Sequence, residues 1–249
     1  MSQTLMGKNA VLQALKAGRP IQRIMFARGL VEDDKIQEIR AIAHELKIGT
    51  ILADRRDLDR QSRHEQHQGV LAFGPSFRYS EIEAIFFRAE ERKELPFILV
   101  LEGLEDPYNV GSLIRSAVGA GVHGVIMPEH KQADVTAVVI KVSTGATEYI
   151  PIVRVKNVTQ TLRALKEKGI WIFGTHQDAP QIYTKTDYNL PLALVIGNEG
   201  KGLSKLVKEQ CDFMVKIPIR REGIDSLNAS VAGAIILFKM VEGRQHGHS

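Results

Sequence analysis

The sequence predicts an α/β protein made of a small front domain and a larger domain built on a parallel sheet. Three observations carry the prediction. From residue 97 onward, continuous apolar runs such as "FILVLEG" and "LALVIG" alternate with helical stretches, and strands apolar on both faces belong to parallel sheets covered by helices on each side. Before residue 74 a shorter alternation of the same kind occurs. Between the two, "GPSFRYSEIEAIFFRAEERKEL" is a Gly-Pro turn followed by one charged amphipathic helix, the composition of a connector. The expected division is a front domain at 1–73, a linker at 74–95 and a main domain at 96–249.

In the front domain, apolar periodicity marks helices over 8–17 and 32–46, and strands over 22–27, 48–53 and at "GVLAF". The segment before that last strand, "DRRDLDRQSRHEQHQG", holds four arginines and two histidines. It reads either as a phosphate-contacting loop or as a solvated helix of alternating charge. In the main domain the order is "FILVLEG", a helix over 109–120, "HGVIM", a helix over 134–141, "YIPIVRV" and a helix over 158–168. "IWIFGTH", "LALVIG", a short helix after Gly202, "FMVKIPI" and a final helix from about Leu227 complete it. That final helix is apolar on every side over 231–238, so it must be buried, in the core or against another subunit.

Composition narrows the function classes. The chain has 249 residues, 44% of them apolar, enough to fill a core without staples. Its single cysteine, Cys211, excludes an intrachain disulfide and a cysteine-built zinc site. The histidines and acids show no ligand spacing, so no metal is expected, and the histidines of the tail "GRQHGHS" read as solvated. The opening "MSQTLMGKNAVLQALKAG" has neither the basic head nor the apolar run of a secretory leader. No stretch approaches the roughly 18 apolar residues of a membrane span, and the expectation is a soluble cytoplasmic protein with no membrane partner. The formal charge is +4, and residues 1–73 carry 12 Lys and Arg against 9 Asp and Glu. The front domain is thus the more basic for its size, which favours a polyanion partner.

Ligands of open parallel sheets bind at the carboxyl ends of the strands, and three such places have unusual composition. In "DPYNVGSLIRSA", Asn109 can cap a helix whose first turn contains Gly111, and Arg115 falls four residues further on the same face. In "LALVIGNEGKGLS", a buried strand runs into Gly197, Gly200 and Gly202 around Asn198 and Glu199. Glycine there lets the backbone approach a ligand, and Glu199 offers an acceptor for a hydroxyl or amine. The string is neither G-x-G-x-x-G nor G-x-x-x-x-G-K-[ST], so dinucleotide and nucleoside-triphosphate readings lose their main support. In "KIPIRREGIDSLNASVAGAIILF", Ser226, Asn228 and Ser230 crowd one helix start. Capping explains two of them, and a polar ligand would explain the third.

Together and in this order, the three stretches resemble motifs one, two and three of the SpoU/TrmH class of SPOUT RNA methyltransferases. The resemblance covers about 96–240. "GKNAVLQAL" and "HQGVLAF" look like the substrate-binding domain of RlmB-type enzymes, which methylate a guanosine ribose in 23S ribosomal RNA. The resemblance implies a catalytic domain whose C-terminal part threads a trefoil knot, an exception to unknotted chains. It implies S-adenosyl-L-methionine held against Thr175, Gly197, Ile217 and Leu227, and a homodimer whose subunits pair to complete the site. Arg115 takes the role of activating the ribose 2′-hydroxyl, with Asn109, Glu199, Ser226 and Asn228 positioning Arg115 and the ribose. A guanidinium keeps its proton at neutral pH, so the expected part of Arg115 is to orient the hydroxyl and stabilise the developing negative charge. Lys8, Asn9, Arg63, His67 and Gln68 are the expected RNA contacts of the front domain.

One departure from the family pattern stands out. Between "IPI" and "SLN" this chain has six residues, "RREGID", where five are usual; Arg220 and Arg221 there could contact RNA or lie in a solvated loop. Three rival readings remain. One is the same chemistry on a transfer RNA or another ribosomal site; another is a non-catalytic RNA-binding or ribosome-assembly protein on this scaffold. The third, a nicotinamide-dependent dehydrogenase, would need a glycine-rich turn after the first strand that "EGLEDPYNVG" does not provide.

Overall fold

The computed structural model describes residues 2–219 and 226–245. The six-residue stretch "RREGID" at 220–225 and the tail histidines lie outside the described residues. Along the chain run β1 (Ser2–Met6), α1 (Lys8–Lys16), β2 (Arg23–Ala27), α2 (Asp34–Glu45), β3 (Gly49–Ala53), α3 (Arg55–Gln61) and β4 (Val70–Pro75). They continue with α4 (Glu83–Arg92), β5 (Phe97–Glu102), α5 (Pro107–Gly119), β6 (Gly124–Pro128), α6 (Ala137–Val142), β7 (Ile152–Val155) and α7 (Val158–Glu167). The last are β8 (Trp171–Thr175), β9 (Gln181–Ile182), β10 (Leu192–Gly197), α8 (Lys205–Lys208), β11 (Phe213–Lys216) and α9 (Ala229–Gln245). The chain forms two compact units, one of Met1–Arg78 with Asp134–Tyr149, the other of Tyr79–Ala133 with Ile150–Ser249.

The front unit holds a four-stranded sheet in the order β1-β4-β2-β3. β4 runs antiparallel to both β1 and β2, and β2 runs parallel to β3. β1 lacks an apolar run, and its pairing to β4 from Ser2↔Pro75 to Met6↔Leu71 makes it a strand. Of the two readings of the arginine-rich segment, residues 55–61 take the helical one, with Leu58 buried beneath. Residues 134–149, expected in the main domain, cluster here instead. Several contacts hold them there, among them Gln3 Nε2 donating to the Val135 carbonyl at 2.9 Å and Arg19 meeting Glu148 at 2.8 Å with both side chains under 10% exposed.

The second unit is a seven-stranded sheet in the order β7-β6-β5-β10-β8-β11-β9, with every pairing parallel. Its central strands β5 and β10 are buried almost throughout, as their apolar runs predict. On one face, Ala193 and Val195 pack with Val158, Leu162 and Leu165 of α7 and with Val207 of α8. On the other face Ile196 lies beneath Gly233 of α9, which crosses α5 at Leu113. The expected linker is part of this core. Ile85 of α4 is buried with Ile98, Val100 and Ile126, and a Cβ on Gly124 would stand 2.3 Å from Ile85 Cγ1. Only glycine lets α4 lie that close to β6.

Candidate functional site

Thr175 ends β8, Gly197 ends β10, Ile217 follows β11 and Leu227 precedes α9. These four, with Glu199 and Ser226, line one cavity of about 420 Å³ at the carboxyl ends of the parallel strands. Ile196, Val215 and Ile236 supply aliphatic wall, while His176 and Lys201 add polar groups that the sequence reading did not anticipate.

The loop after β10 is shaped by its own hydrogen bonds. Asn198 and Gly202 exchange backbone bonds of 3.2 and 2.8 Å. The Asn198 side-chain oxygen accepts from the amides of Gly200 and Lys201 at 3.0 and 3.2 Å, and its Nδ2 donates to the Gly103 carbonyl at 2.8 Å. Ser204 donates through its amide and hydroxyl to the Glu102 carboxylate at 3.1 and 2.6 Å. The motif-two loop is thereby tied to the end of β5. A Cβ on Gly197 would fall 2.5 Å from the Gly202 carbonyl carbon, so the glycine is required by backbone-to-backbone approach. Asn198 and Glu102 were not among the expected site residues; an Asn beside Gly at a strand end was the available signal.

Three expected catalytic residues meet directly. Asn109, buried at 5% exposure, donates from Nδ2 to Glu199 Oε1 at 2.8 Å. Asn228 donates from Nδ2 to the same oxygen at 2.6 Å and to Asn109 Oδ1 at 2.9 Å. Its Oδ1 accepts from the Ser230 and Val231 amides at 2.9 and 3.2 Å, capping α9, and from the Ser230 hydroxyl at 2.6 Å. One oxygen of Glu199 is thus fully engaged, and Oε2 has no partner among the described residues. A carboxylate fixed on one side and open on the other can accept a hydrogen bond from a ligand hydroxyl or amine.

Other expected residues fall elsewhere. Asn109 does not cap α5: Asp106 does, accepting from the Tyr108 amide at 3.0 Å, with Pro107 opening the helix. Asn109 is freed to face Glu199. Gly111 is buried and Arg115 exposed, although they are four residues apart. Arg115 has no polar partner among the described residues and is not part of the cavity wall. In the front unit Lys8, Asn9 and Gln68 line a second cavity, whereas Arg63 and His67 do not. His67 is 2% exposed; its Nδ1 accepts from the Gly69 amide at 3.0 Å and its Nε2 pairs with Asp59 at 2.9 Å, so it shapes the loop. Among the described residues no group of three His, Cys, Asp or Glu is gathered to hold a metal, and no helix is long and apolar enough to cross a membrane.

An all-parallel α/β unit with an aliphatic cavity at its strand ends, closed by a glycine loop, is a domain for a small organic cofactor. The chain belongs to the SpoU methylase family of S-adenosylmethionine-dependent RNA methyltransferases: the SpoU rRNA Methylase family matches residues 96–238. A second family, the RNA 2′-O ribose methyltransferase substrate-binding domain, matches residues 4–80. Among similar proteins, "Putative TrmH family tRNA/rRNA methyltransferase YacO" of Bacillus subtilis (strain 168) is 41% identical over 96% of this chain and 95% of its own. A Staphylococcus saprophyticus relative of the same description, without the name YacO, is 37% identical over 97% and 96%. The crystal structure of the SpoU methyltransferase AviRb from Streptomyces viridochromogenes, in complex with AdoMet, has a TM-score of 0.81 at 26% identity, over 99% of this chain and 92% of that one. An AdoMet-bound rRNA methyltransferase from Sinorhizobium meliloti shares the fold, with a TM-score of 0.77 at 24% identity over 100% and 88%.

Proposed function

We propose that this protein methylates the 2′-hydroxyl of a ribose, that of a guanosine in 23S ribosomal RNA, and does so as a homodimer. The observation that carries the chemistry is the Asn109–Glu199–Asn228 cluster beside a cavity whose lining includes all four expected cofactor residues. That lining fits S-adenosylmethionine: Ile196, Val215, Ile217 and Leu227 offer apolar surface to an adenine, and the Gly197 loop offers backbone. When bound, that molecule supplies a methyl group on a positively charged sulfur. The chain's own residues hold and align. Asn109 and Asn228 fix one oxygen of Glu199, leaving Oε2 to position the incoming ribose or the partner arginine, while Ser226 stands in the same wall.

Arg115 orients the 2′-hydroxyl and stabilises the negative charge that develops on its oxygen. It lies outside the cavity of its own chain, so a second copy would deliver it. Support for pairing comes from α9, where Val231, Ile235 and Phe238 are 48%, 36% and 51% exposed at positions that share one helix face. The knotted threading of the C-terminal part is read from family membership. The rRNA reading is favoured by the description of the SpoU rRNA Methylase family, with the front unit matched to an RNA substrate-binding family, and a transfer RNA is the competing substrate.

Arg115→Ala is expected to lower kcat about 100- to 1,000-fold with S-adenosylmethionine affinity, measured by calorimetry, unchanged. Equal activity of variant and wild type would sink this role. Ribose methylation mapped in 23S ribosomal RNA and transfer RNA from cells lacking the protein, then restored with wild type or Arg115→Ala, identifies the substrate. A site lost from transfer RNA alone overturns the rRNA assignment.

A further inference from the structure

The front unit carries a cavity of about 580 Å³, within the roughly 300–1,000 Å³ of small-ligand sites. Lys8, Lys35 and Arg55, which open or nearly open α1, α2 and α3, converge on it, together with Arg28, Asn9 and Gln68. Apart from Asp34, the acceptors of the wall's polar side chains are used up internally. Asn9 Oδ1 accepts from Lys35 Nζ at 2.7 Å, and Gln68 Oε1 accepts from the Lys8 amide at 3.1 Å. Asp33 is occupied by Lys8 Nζ at 2.7 Å and by the Ile36 amide at 3.0 Å. Left over are donors: the amide groups Asn9 Nδ2 and Gln68 Nε2, and Arg55, none with an acceptor among the described residues. Arg28 is only loosely engaged, 3.6 Å from Asp54 with both side chains more than two-thirds exposed. Asp34 is the one side-chain carboxylate of the wall without a partner among the described residues.

The loop is also strained toward this arrangement. Gln68 sits at φ 52, a left-handed conformation uncommon for a side chain of its type, and non-glycine residues held there cost on the order of 1 kcal/mol. A donor-rich, cationic concavity selects a ligand with phosphate oxygens and acceptor atoms on a planar ring. A stacked, paired base cannot enter a concavity, whereas an unpaired one can.

We infer that this cavity takes one unpaired nucleotide of the RNA substrate, its phosphate on Arg55 and Arg28 and its base acceptors on the side-chain amides of Asn9 and Gln68. Asp34 is then the acceptor for a ribose hydroxyl or a base amino group. The inference rests on the RNA-methyltransferase reading for the identity of the ligand, and it places a second point of RNA capture in a unit separate from the methyl-donor cavity.

The test is binding of transcribed 23S ribosomal RNA, by filter retention at fixed salt, to wild type, Arg55→Glu, Asn9→Ala and Arg56→Glu. Arg56 is the neighbouring exposed arginine and does not line the cavity, so its reversal reports general electrostatics. Arg55→Glu is expected to raise Kd about tenfold or more and Asn9→Ala about threefold to tenfold, with Arg56→Glu within about threefold of wild type. Thermal melts matching wild type exclude misfolding, and glutamate at the first position of a helix is favourable. Equal losses for Arg55→Glu and Arg56→Glu, or no loss for either, overturn the pocket in favour of a diffuse basic surface. A perfectly paired RNA duplex that competes better against wild type than against Arg55→Glu overturns the unpaired nucleotide. Methyl transfer on the same samples separates the two readings: a wild type that transfers nothing sinks the function, while the binding pattern still decides the pocket.

Discussion

Asn228 joins two tasks in one side chain, since its oxygen caps α9 and its nitrogen clamps Glu199. Asn228→Ala should cost about 1–2 kcal/mol in chemical denaturation, the loss of a cap, and should lower methyl transfer more than S-adenosylmethionine binding. Asn228→Asp keeps the cap but sets a second carboxylate against Glu199, so it too should lower methyl transfer. Cys211 shows how burial silences a reactive group. Desolvation, and then the nearby Asp212, push its thiol up to about 12; a thiol reagent should label the native protein far more slowly than the unfolded chain. His123 is fully buried, with Nδ1 accepting from the Phe97 amide at 3.0 Å and Nε2 facing Glu94 at 3.0 Å. Burial lowers its pKa against the opposing pull of Glu94. The unfolded chain therefore takes the proton first, and stability should fall as the pH drops below about 6.5; His123→Asn, which retains the acceptor, should flatten that slope. Glu199 and Asn228, which the structure brings together, could be picked out in the sequence because each sits in a distinctive string. The Asn109–Glu199 bond could not, because it joins residues 90 positions apart and Asn109 reads locally as a helix cap.

At the level of elements, period and apolarity located β5, β10, α7 and α9, where tertiary packing only reinforces the local pattern. They could not locate β1, which exists through its pairing with β4, or the two-residue β9. The charged helix α4 has the composition of a connector, yet Ile85 and Ala89 on one face bury it. Contact between Ile85 and Gly124 decides this, and it can be measured. Gly124→Val should destabilise by about 2–3 kcal/mol through overpacking. Combined with Ile85→Ala, the loss should be well below the sum of the single losses, because the smaller side chain makes room. Additive losses in denaturant titrations would show that α4 does not press on β6 as described.

Across the whole molecule, the Arg19–Glu148 pair reaches over 129 residues of sequence. Both side chains are nearly sealed from water; Arg19 also donates to Gln3 Oε1 at 2.6 Å and to the Pro75 carbonyl at 3.1 Å. Glu148→Ala leaves a buried cation short of its counter-charge and should destabilise the front unit by about 3 kcal/mol or more. Limited proteolysis should then cut within residues 2–78 before it cuts the parallel sheet. The two-unit plan was legible from composition, but the membership of 134–149 was not, because a helix carries no local mark of which sheet it will cover. That return of the chain sets an order of events during synthesis. The front unit is encoded first, yet the segment 134–149 that packs with it is made only later, so its four strands wait without that segment while β5 and β6 of the second unit emerge. A translational pause or a chaperone acting in that interval would govern the yield of a unit whose own strands had long been available.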